Sequence, residues 1–254
     1  MIPKILITND DGIDSPGILA LVRAMKRLGE IVVVAPDRQQ SAVGHALTVS
    51  SPLRATPFHR NGEMFGFAIN GTPSDCVKLA LSSLMETKPD LLLSGINHGQ
   101  NTSINVLYSG TVSAATEGML IGIPSIAISL DSYSYLSDCT IAGEYASEIA
   151  EKILSDTLPK GTLLNVNVPA LKKNKIRGMK VTSLSSNIWN DKYERRVDPF
   201  GRPYYWFAGQ LESLDENPET DFIALRDQYV SITPIKYTFT NADYISELKN
   251  CFSK

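Results

Sequence analysis

Cysteine is scarce in this chain. The three present, Cys76, Cys139 and Cys251, lie far apart and form no CxxC pair. That spacing excludes a secreted disulfide framework and fits a reducing cytosol. Histidine is equally sparse, limited to His45, His59 and His98. A closed zinc site of Cys and His ligands is therefore not expected, and any bound metal should rest on carboxylate, hydroxyl and amide oxygens. No stretch approaches 18 consecutive apolar residues, so no transmembrane helix is expected. No basic segment leads into a long apolar one at the start, so no signal peptide is expected either, and the expected location is cytoplasmic. Excess charge of one sign is missing too. Lys and Arg number 24 against 27 Asp and Glu, a formal net charge of -3. Nucleic acid and anionic membranes are thereby disfavoured as partners.

What is present is an apolar fraction of 43% over 254 residues, enough for one large α/β domain. Strand-like and helix-like stretches alternate through the first half. Ile5-Leu-Ile7, Ile31–Val34, Met64–Ile69, Asp90–Ser94, Pro124–Leu130 and Leu163–Val168 read as strands. Between them Pro16–Leu28, Pro73 to about Met85, Thr111–Ile121 and Ile141–Leu154 read as helices. Ser15-Pro16 and Thr72-Pro73 supply an N-cap followed by proline at the first helical position. Such alternation predicts βαβ units and a mostly parallel sheet. The pattern weakens after about residue 170. Tyr204-Tyr-Trp-Phe207 suggests a hairpin arm or interface strand, Tyr229–Ile235 a returning strand, and Asn241–Phe252 an amphipathic terminal helix. With no internal repeat or clear linker, 1–254 reads as a single domain: a core of about 1–170 and a C-terminal extension of about 171–254.

The first strand ends in Asn9-Asp10-Asp11-Gly12. A dinucleotide-binding fold places glycines there so that a pyrophosphate can approach. Two carboxylates would repel a phosphate unless a cation stood between them, and hard oxygen ligands suit Mg²⁺, Mn²⁺ or Ca²⁺. An acidic turn is the plain alternative, because Asn, Asp and Gly favour turns. Other polar loops also follow strands. Ser109-Gly110-Thr111 opens a helix and offers hydroxyls and free N–H groups to an anion, although a well-capped core helix looks the same. Asn97 and Asn101 flank Gly99, where an amide can ligate a metal, donate to phosphate or simply brace a turn. Ser41 can ligate a cation through its hydroxyl, as few loop serines do. His98 has a near-neutral pKa available, but a lone loop histidine is normally solvent-exposed, and no role is assigned to it.

These segments together resemble the SurE family of stationary-phase survival proteins, metal-dependent nucleoside-monophosphate phosphatases. The resemblance runs through Ile5–Ile13 with Pro16-Gly17, Val34–Asp37 with Gln40–Ala42, Asn70–Val77, Ser94–Asn101, Tyr108–Gly118, Thr220-Asp221 and Val230–Pro234. It implies a Rossmann-like three-layer α/β/α core, with a C-terminal arm of hairpin and helix exchanged between subunits of a homodimer or homotetramer. It implies one divalent metal per subunit, Mg²⁺ or Mn²⁺ with Ca²⁺ also accepted, on Asp10, Asp11, Ser41 and Asn97. It implies phosphate contacts from Asn9, Asn101, Ser109, Gly110 and Thr111. The expected reaction is hydrolysis of a nucleoside 5′-monophosphate, with 3′-monophosphates and short polyphosphate as further substrates. Asp10, Asn9, Asn101, Ser109 and Thr111 form the expected catalytic set. Direct attack by water and an aspartyl-phosphate route both remain open. The competing readings are a non-catalytic nucleotide sensor and a sugar-nucleotide-type transferase. The acidic pair argues against the second. Two positions depart from the family pattern: Gln228 replaces a usual glycine and Ser74 a common alanine.

Overall fold

The computed structural model describes residues 2–212 and 216–253. Its centre is a nine-stranded sheet. The strands are β1 (Lys4–Thr8), β2 (Glu30–Pro36), β3 (Ala55–Arg60), β4 (Glu63–Ile69), β5 (Leu91–His98), β6 (Ser125–Asp131), β7 (Thr162–Pro169), β8 (Met179–Val181) and β13 (Val230–Lys236). Their order is β3-β4-β2-β1-β5-β6-β7-β13-β8. From β4 to β7 neighbours are parallel, while β3 runs against β4 and β13 against β7. The expected α/β architecture is thus observed.

Helices cover both faces because the central strands are apolar on both. On one face α1 (Pro16–Met25) packs against α4 (Thr140–Ser155), burying Ile18, Leu21, Met25, Ala142, Ala146 and Ile149 against β-strand side chains such as Ile5 and Leu93. On the other, α2 (Pro73–Leu79) packs against α3 (Gly110–Leu120) through Cys76, Val77, Val112, Ala114 and Ala115. Each large aliphatic side chain so buried stabilises the fold by about 1.5–3 kcal/mol. Ser15 caps α1 by accepting from the Ile18 N–H, and Thr72 with Asp75 forms a capping box on α2. The sequence overextends both helices: α1 stops at Met25, and α2 gives way at Ala80 to a wider π-type turn through Leu84. Strand β3 was not expected. Pro57, His59 and Arg60 obscure its alternation, and only its position at the sheet edge accommodates that proline.

Strand β5 corrects the sequence most. It continues past Ser94 to His98, so Asn97 and His98 belong to a strand end rather than a loop. Its ladder with β6 skips Gly95 and Ile96 and resumes at Asn97↔Ser129, a bulge that re-aims the last residues. Gly95 has φ +142°, and a Cβ there would collide with the Ile128 carbonyl oxygen, so the bulge requires glycine.

The extension contributes β8 and β13 to the sheet. It also forms β9 (Ile188–Asn190) paired with β12 (Gln210–Glu212), the hairpin β10 (Tyr193–Val197) and β11 (Pro203–Phe207), α5 (Asp221–Arg226) and α6 (Ala242–Phe252). Among the described residues no helix is long and apolar enough to cross a membrane.

Candidate active site at the carboxyl end of the sheet

From β1 the chain proceeds to β2 on one side, and later returns to place β5 on the other. The crevice beyond the carboxyl ends of β1 and β5 is therefore the topological switch point, where parallel sheets bind ligands. Asp10 and Asp11 follow β1, and Asn97 and His98 end β5. A cleft of about 850 Å³ opens there, and Asp10, Ser41, Asn97, Asn101 and Ser109 all line it.

Asp10 is only 5% exposed. The Thr111 hydroxyl donates to its Oδ1 at 2.6 Å and the Thr111 N–H to its Oδ2 at 3.1 Å. Burial pushes the Asp10 pKa up to about 6 against these bonds, and the neighbouring Asp11 charge adds to the rise. Asp11 is held from the other side. Its Oδ2 accepts from the His98 backbone N–H at 3.1 Å and meets His98 Nδ1 at 2.9 Å, while its Oδ1 accepts from the Tyr135 hydroxyl at 2.9 Å. The Asp11 bond raises the His98 pKa to about 9, with Cys139 on the far ring nitrogen adding to it. His98 is consequently an imidazolium that donates Nδ1–H to Asp11. It is buried, contrary to the expectation of a solvent-exposed loop histidine.

Asn97 donates Nδ2–H to the Gly99 carbonyl at 2.7 Å, which fixes the amide and leaves Oδ1 as its ligating atom. Ser41 is exposed on the cleft and accepts from Gln39 Nε2 at 2.7 Å. The loop carrying it is pinned to α2 and α3. Gly44 N–H donates to the Tyr108 carbonyl at 3.0 Å, Thr48 N–H to Asp75 at 3.0 Å, and His45 meets Glu117 at 2.7 Å.

Directly against Asp10, α3 begins at Gly110. Ser109 caps it by accepting from the Val112 N–H at 3.1 Å, and a hydroxyl that accepts still has a proton to donate. A Cβ on Gly110 would lie 2.9 Å from the Asp10 Cβ, so glycine allows the helix start to abut the acidic pair. Asn101 is locked through its backbone N–H to Asn167 Oδ1 at 2.7 Å and through Nδ2 to Ser129 at 2.9 Å. Asn9, Asp11, Gly110 and Thr111 stand behind the cleft lining. Asn9 is fully buried, donating to the Gly12 carbonyl and to Ser15, and it shapes the turn that presents Asp10. Thr111 directs both of its donors at Asp10 rather than into the cleft.

The donor set fits a hard divalent cation. Two carboxylates sit side by side, one of them buried enough to resist ionisation, and a dication relieves both their repulsion and the burial cost. The Asn97 carbonyl and Ser41 hydroxyl line the same cleft. Among the described residues no group of three His, Cys, Asp or Glu gathers, so the shell must be completed by neutral oxygens.

Several cleft residues had no signal in the sequence. Tyr133 and Tyr135 come from the turn after β6, where their place behind a strand could have marked them. Ile188, Trp189, Asp191, Tyr193 and Phe207 come from the arm, whose aromatics were expected only at an interface.

Comparison with known proteins agrees with this geometry. The family model "Survival protein SurE" matches residues 5–191. The chain is 47% identical to 5′-nucleotidase SurE of Moorella thermoacetica, over 96% of this chain and 94% of that protein. It is 44% identical to 5′-nucleotidase SurE of Chlorobium phaeobacteroides, over 97% and 95%. Among solved structures, the SurE protein from Aquifex aeolicus superposes with a TM-score of 0.86 at 40% identity, covering 99% of this chain and 100% of that one. A full-length match in sequence, the same architecture and an acidic pair at the switch point lead to one conclusion: this chain belongs to the SurE family.

Proposed function

We propose that this chain is a divalent-metal-dependent 5′-nucleotidase that hydrolyses nucleoside 5′-monophosphates to nucleoside and phosphate. The observation that carries the reading is the adjacent pair Asp10 and Asp11: Asp10 lines the cleft with the N-terminus of α3 against it, and the buried Asp11 side chain beside it is held by His98 and Tyr135. Asp10, Asp11, Ser41 and Asn97 hold the cation, Mg²⁺ or Mn²⁺ with Ca²⁺ also fitting. When bound it neutralises phosphate oxygens and lowers the pKa of a coordinated water.

The protein's own groups supply the rest. Ser109 and Asn101 bind the phosphoryl oxygens, and the α3 N-terminus favours their charge. Thr111 orients Asp10, and Gly110 lets the helix start approach closely. Asp10 accepts the proton from the attacking water; its raised pKa describes the metal-free protein, and a bound cation would favour its ionised form. His98 and Tyr135 lock Asp11 in one orientation. The protein works in the cytoplasm as a homodimer or homotetramer joined through the C-terminal arm.

A phosphate-release panel tests the reading. It crosses 5′-monophosphates, 3′-monophosphates and short polyphosphate with Mg²⁺, Mn²⁺ and Ca²⁺, plus a chelator control. The expected result is release from 5′-monophosphates that EDTA abolishes and added metal restores. Nucleotide binding without any release would identify a sensor instead.

A further inference from the structure

The cleft has an end that the phosphoryl chemistry does not use. Trp189, Tyr193 and Phe207 line it, on the opposite side of the sequence from the acidic pair. Phe207 stands edge-on to both other rings, with centroids 5.7 Å from Trp189 at 60° and 5.5 Å from Tyr193 at 65°. Such T-shaped contacts hold the rings in place. Tyr193 and Phe207 remain 63% and 51% exposed, so the chain does not cover these rings itself.

The wall is fastened to the phosphate end of the cleft. The Trp189 Nε1–H donates to Asn105 Oδ1 at 2.8 Å, so the only polar group of that side chain is satisfied and its π face is what it offers. Asn105 lies in the short turn Ser103–Leu107, between Asn101 and Ser109. Ser103 donates its hydroxyl to the carbonyls of Ser185 at 2.9 Å and Asn187 at 2.8 Å. The buried Asp221 carboxylate bridges the N–H groups of Ser103 and Ser185, each at 2.9 Å. The segment leading into β9 is thus tied to the turn that precedes α3.

We propose that Trp189, Phe207 and Tyr193 form a stacking platform for the nucleobase, and that it favours purine over pyrimidine monophosphates. This rests on the nucleotidase reading of the same cleft. A flat apolar ring system joined to a phosphate needs one aromatic end and one anion-binding end, and this cleft has both. Asp191 on the arm side repels the phosphate and so sets the direction in which the nucleotide lies. Stacking is tolerant of base identity but grows with ring area, which favours the two-ring bases.

The test is steady-state kinetics with AMP, CMP and the base-free ester ribose 5-phosphate, at saturating Mg²⁺, on wild type, Trp189→Ala, Trp189→Phe and Phe207→Leu. For Trp189→Ala, kcat/KM should fall about 10- to 100-fold with AMP, mostly through KM, less with CMP, and within about 2-fold for ribose 5-phosphate. Trp189→Phe should recover most of the AMP loss. Phe207→Leu should show the same ordering in smaller size, and it carries the test if Trp189→Ala does not fold. Equal losses on all three esters would overturn the platform by making the wall merely structural. An undiminished AMP rate with an altered oligomeric state would overturn it too, assigning the rings to a contact between copies. A wild type that hydrolyses ribose 5-phosphate but shows no preference for AMP refutes the platform alone. A wild type inert towards every ester refutes the nucleotidase reading beneath it.

Discussion

The crevice at the end of β1 and β5 and the C-terminal arm are built on opposite plans. In the crevice, polar side chains are fixed by neighbours: Thr111 holds Asp10, His98 and Tyr135 hold Asp11, and the Gly99 carbonyl holds Asn97. Asp10, His98 and Thr111 are buried. In the arm, every residue of β10 and β11 is exposed, and α6 buries nothing although Tyr244, Ile245, Leu248 and Phe252 line one face. The difference separates two tasks. Charge chemistry needs preorganised groups shielded from water. The proposed contacts of the arm, with a nucleobase or with a second copy, would instead use apolar side chains that the chain itself leaves uncovered.

Two substitutions should dissociate these tasks. Asp11→Asn removes one of two carboxylates and leaves a single amide oxygen, which can still accept from His98 while the Tyr135 hydroxyl loses its acceptor. Activity at limiting Mg²⁺ should drop by about 10³-fold or more, on the scale of losing a preorganised charged group in a site, with assembly unchanged in sedimentation. Leu248→Asp should do the reverse: if α6 joins copies as proposed, sedimentation should show smaller species while AMP hydrolysis per subunit stays within about 3-fold, because the residue does not line the cleft. Full metal-dependent activity in Asp11→Asn would remove Asp11 from the cation site. Unchanged assembly in Leu248→Asp would clear α6 of any interface role.

The two regions were also unequally legible. Central strands and their helices follow from apolar runs and from caps such as Ser15-Pro16 and Thr72-Pro73. The acidic turn after β1 stands out because that place normally holds glycine. The role of His98 was hidden, because a bulge at Gly95-Ile96 interrupts the apolar run and makes a strand end look like a loop. Thr111 looked like a phosphate ligand from its place at a helix start, and only the fold brings it to within 2.6 Å of Asp10. Trp189 was beyond reach: β9 is three residues long, and its bond to Asn105 spans 84 positions.

The crowding of the crevice has a thermodynamic signature that the arm lacks. Asp10 has a pKa of about 6 in the fold against an ordinary 3.8. Between those values the native state binds the additional proton, so metal-free protein loses stability as pH rises from about 4 to about 6. The size is on the order of 3 kcal/mol. Burial raises Asp131 and Asp221 as well, whereas Asp75 and Glu117 act in the opposite sense. Burial works against Asp75 and Glu117, but their hydrogen bonds prevail and hold both pKa values low, so their contribution is lost as pH falls through those lowered values. The difference between wild type and Asp10→Asn isolates the Asp10 part. Urea unfolding in EDTA should show wild type losing ground to the variant across that window, and Mg²⁺ should restore it above pH 6. A difference that stays flat with pH would mean that Asp10 is ionised in the fold as easily as in water.

The smallest effect lies at the joint between the regions. Helix α5 begins with Asp221, which ties the Ser103 turn to the start of the arm, and it ends in a Schellman motif. The Tyr229 N–H bonds to the Ala224 carbonyl at 2.9 Å and the Gln228 N–H to that of Leu225 at 3.0 Å. That motif requires a left-handed residue after the cap, and Gln228 has φ +68°. Glycine reaches that conformation without a Cβ clash. Gln228→Gly should therefore stabilise the protein by about 0.5–1 kcal/mol, the gain reduced by the added freedom of glycine in the unfolded chain. Ser74, the other departure, has a buried hydroxyl without a hydrogen-bond partner, so Ser74→Ala should gain a similar amount by removing it. Neither side chain lines the cleft. Thermal unfolding should register both gains while AMP hydrolysis stays the same. A loss of stability in Gln228→Gly would show that the glutamine side chain contributes contacts that outweigh its backbone strain.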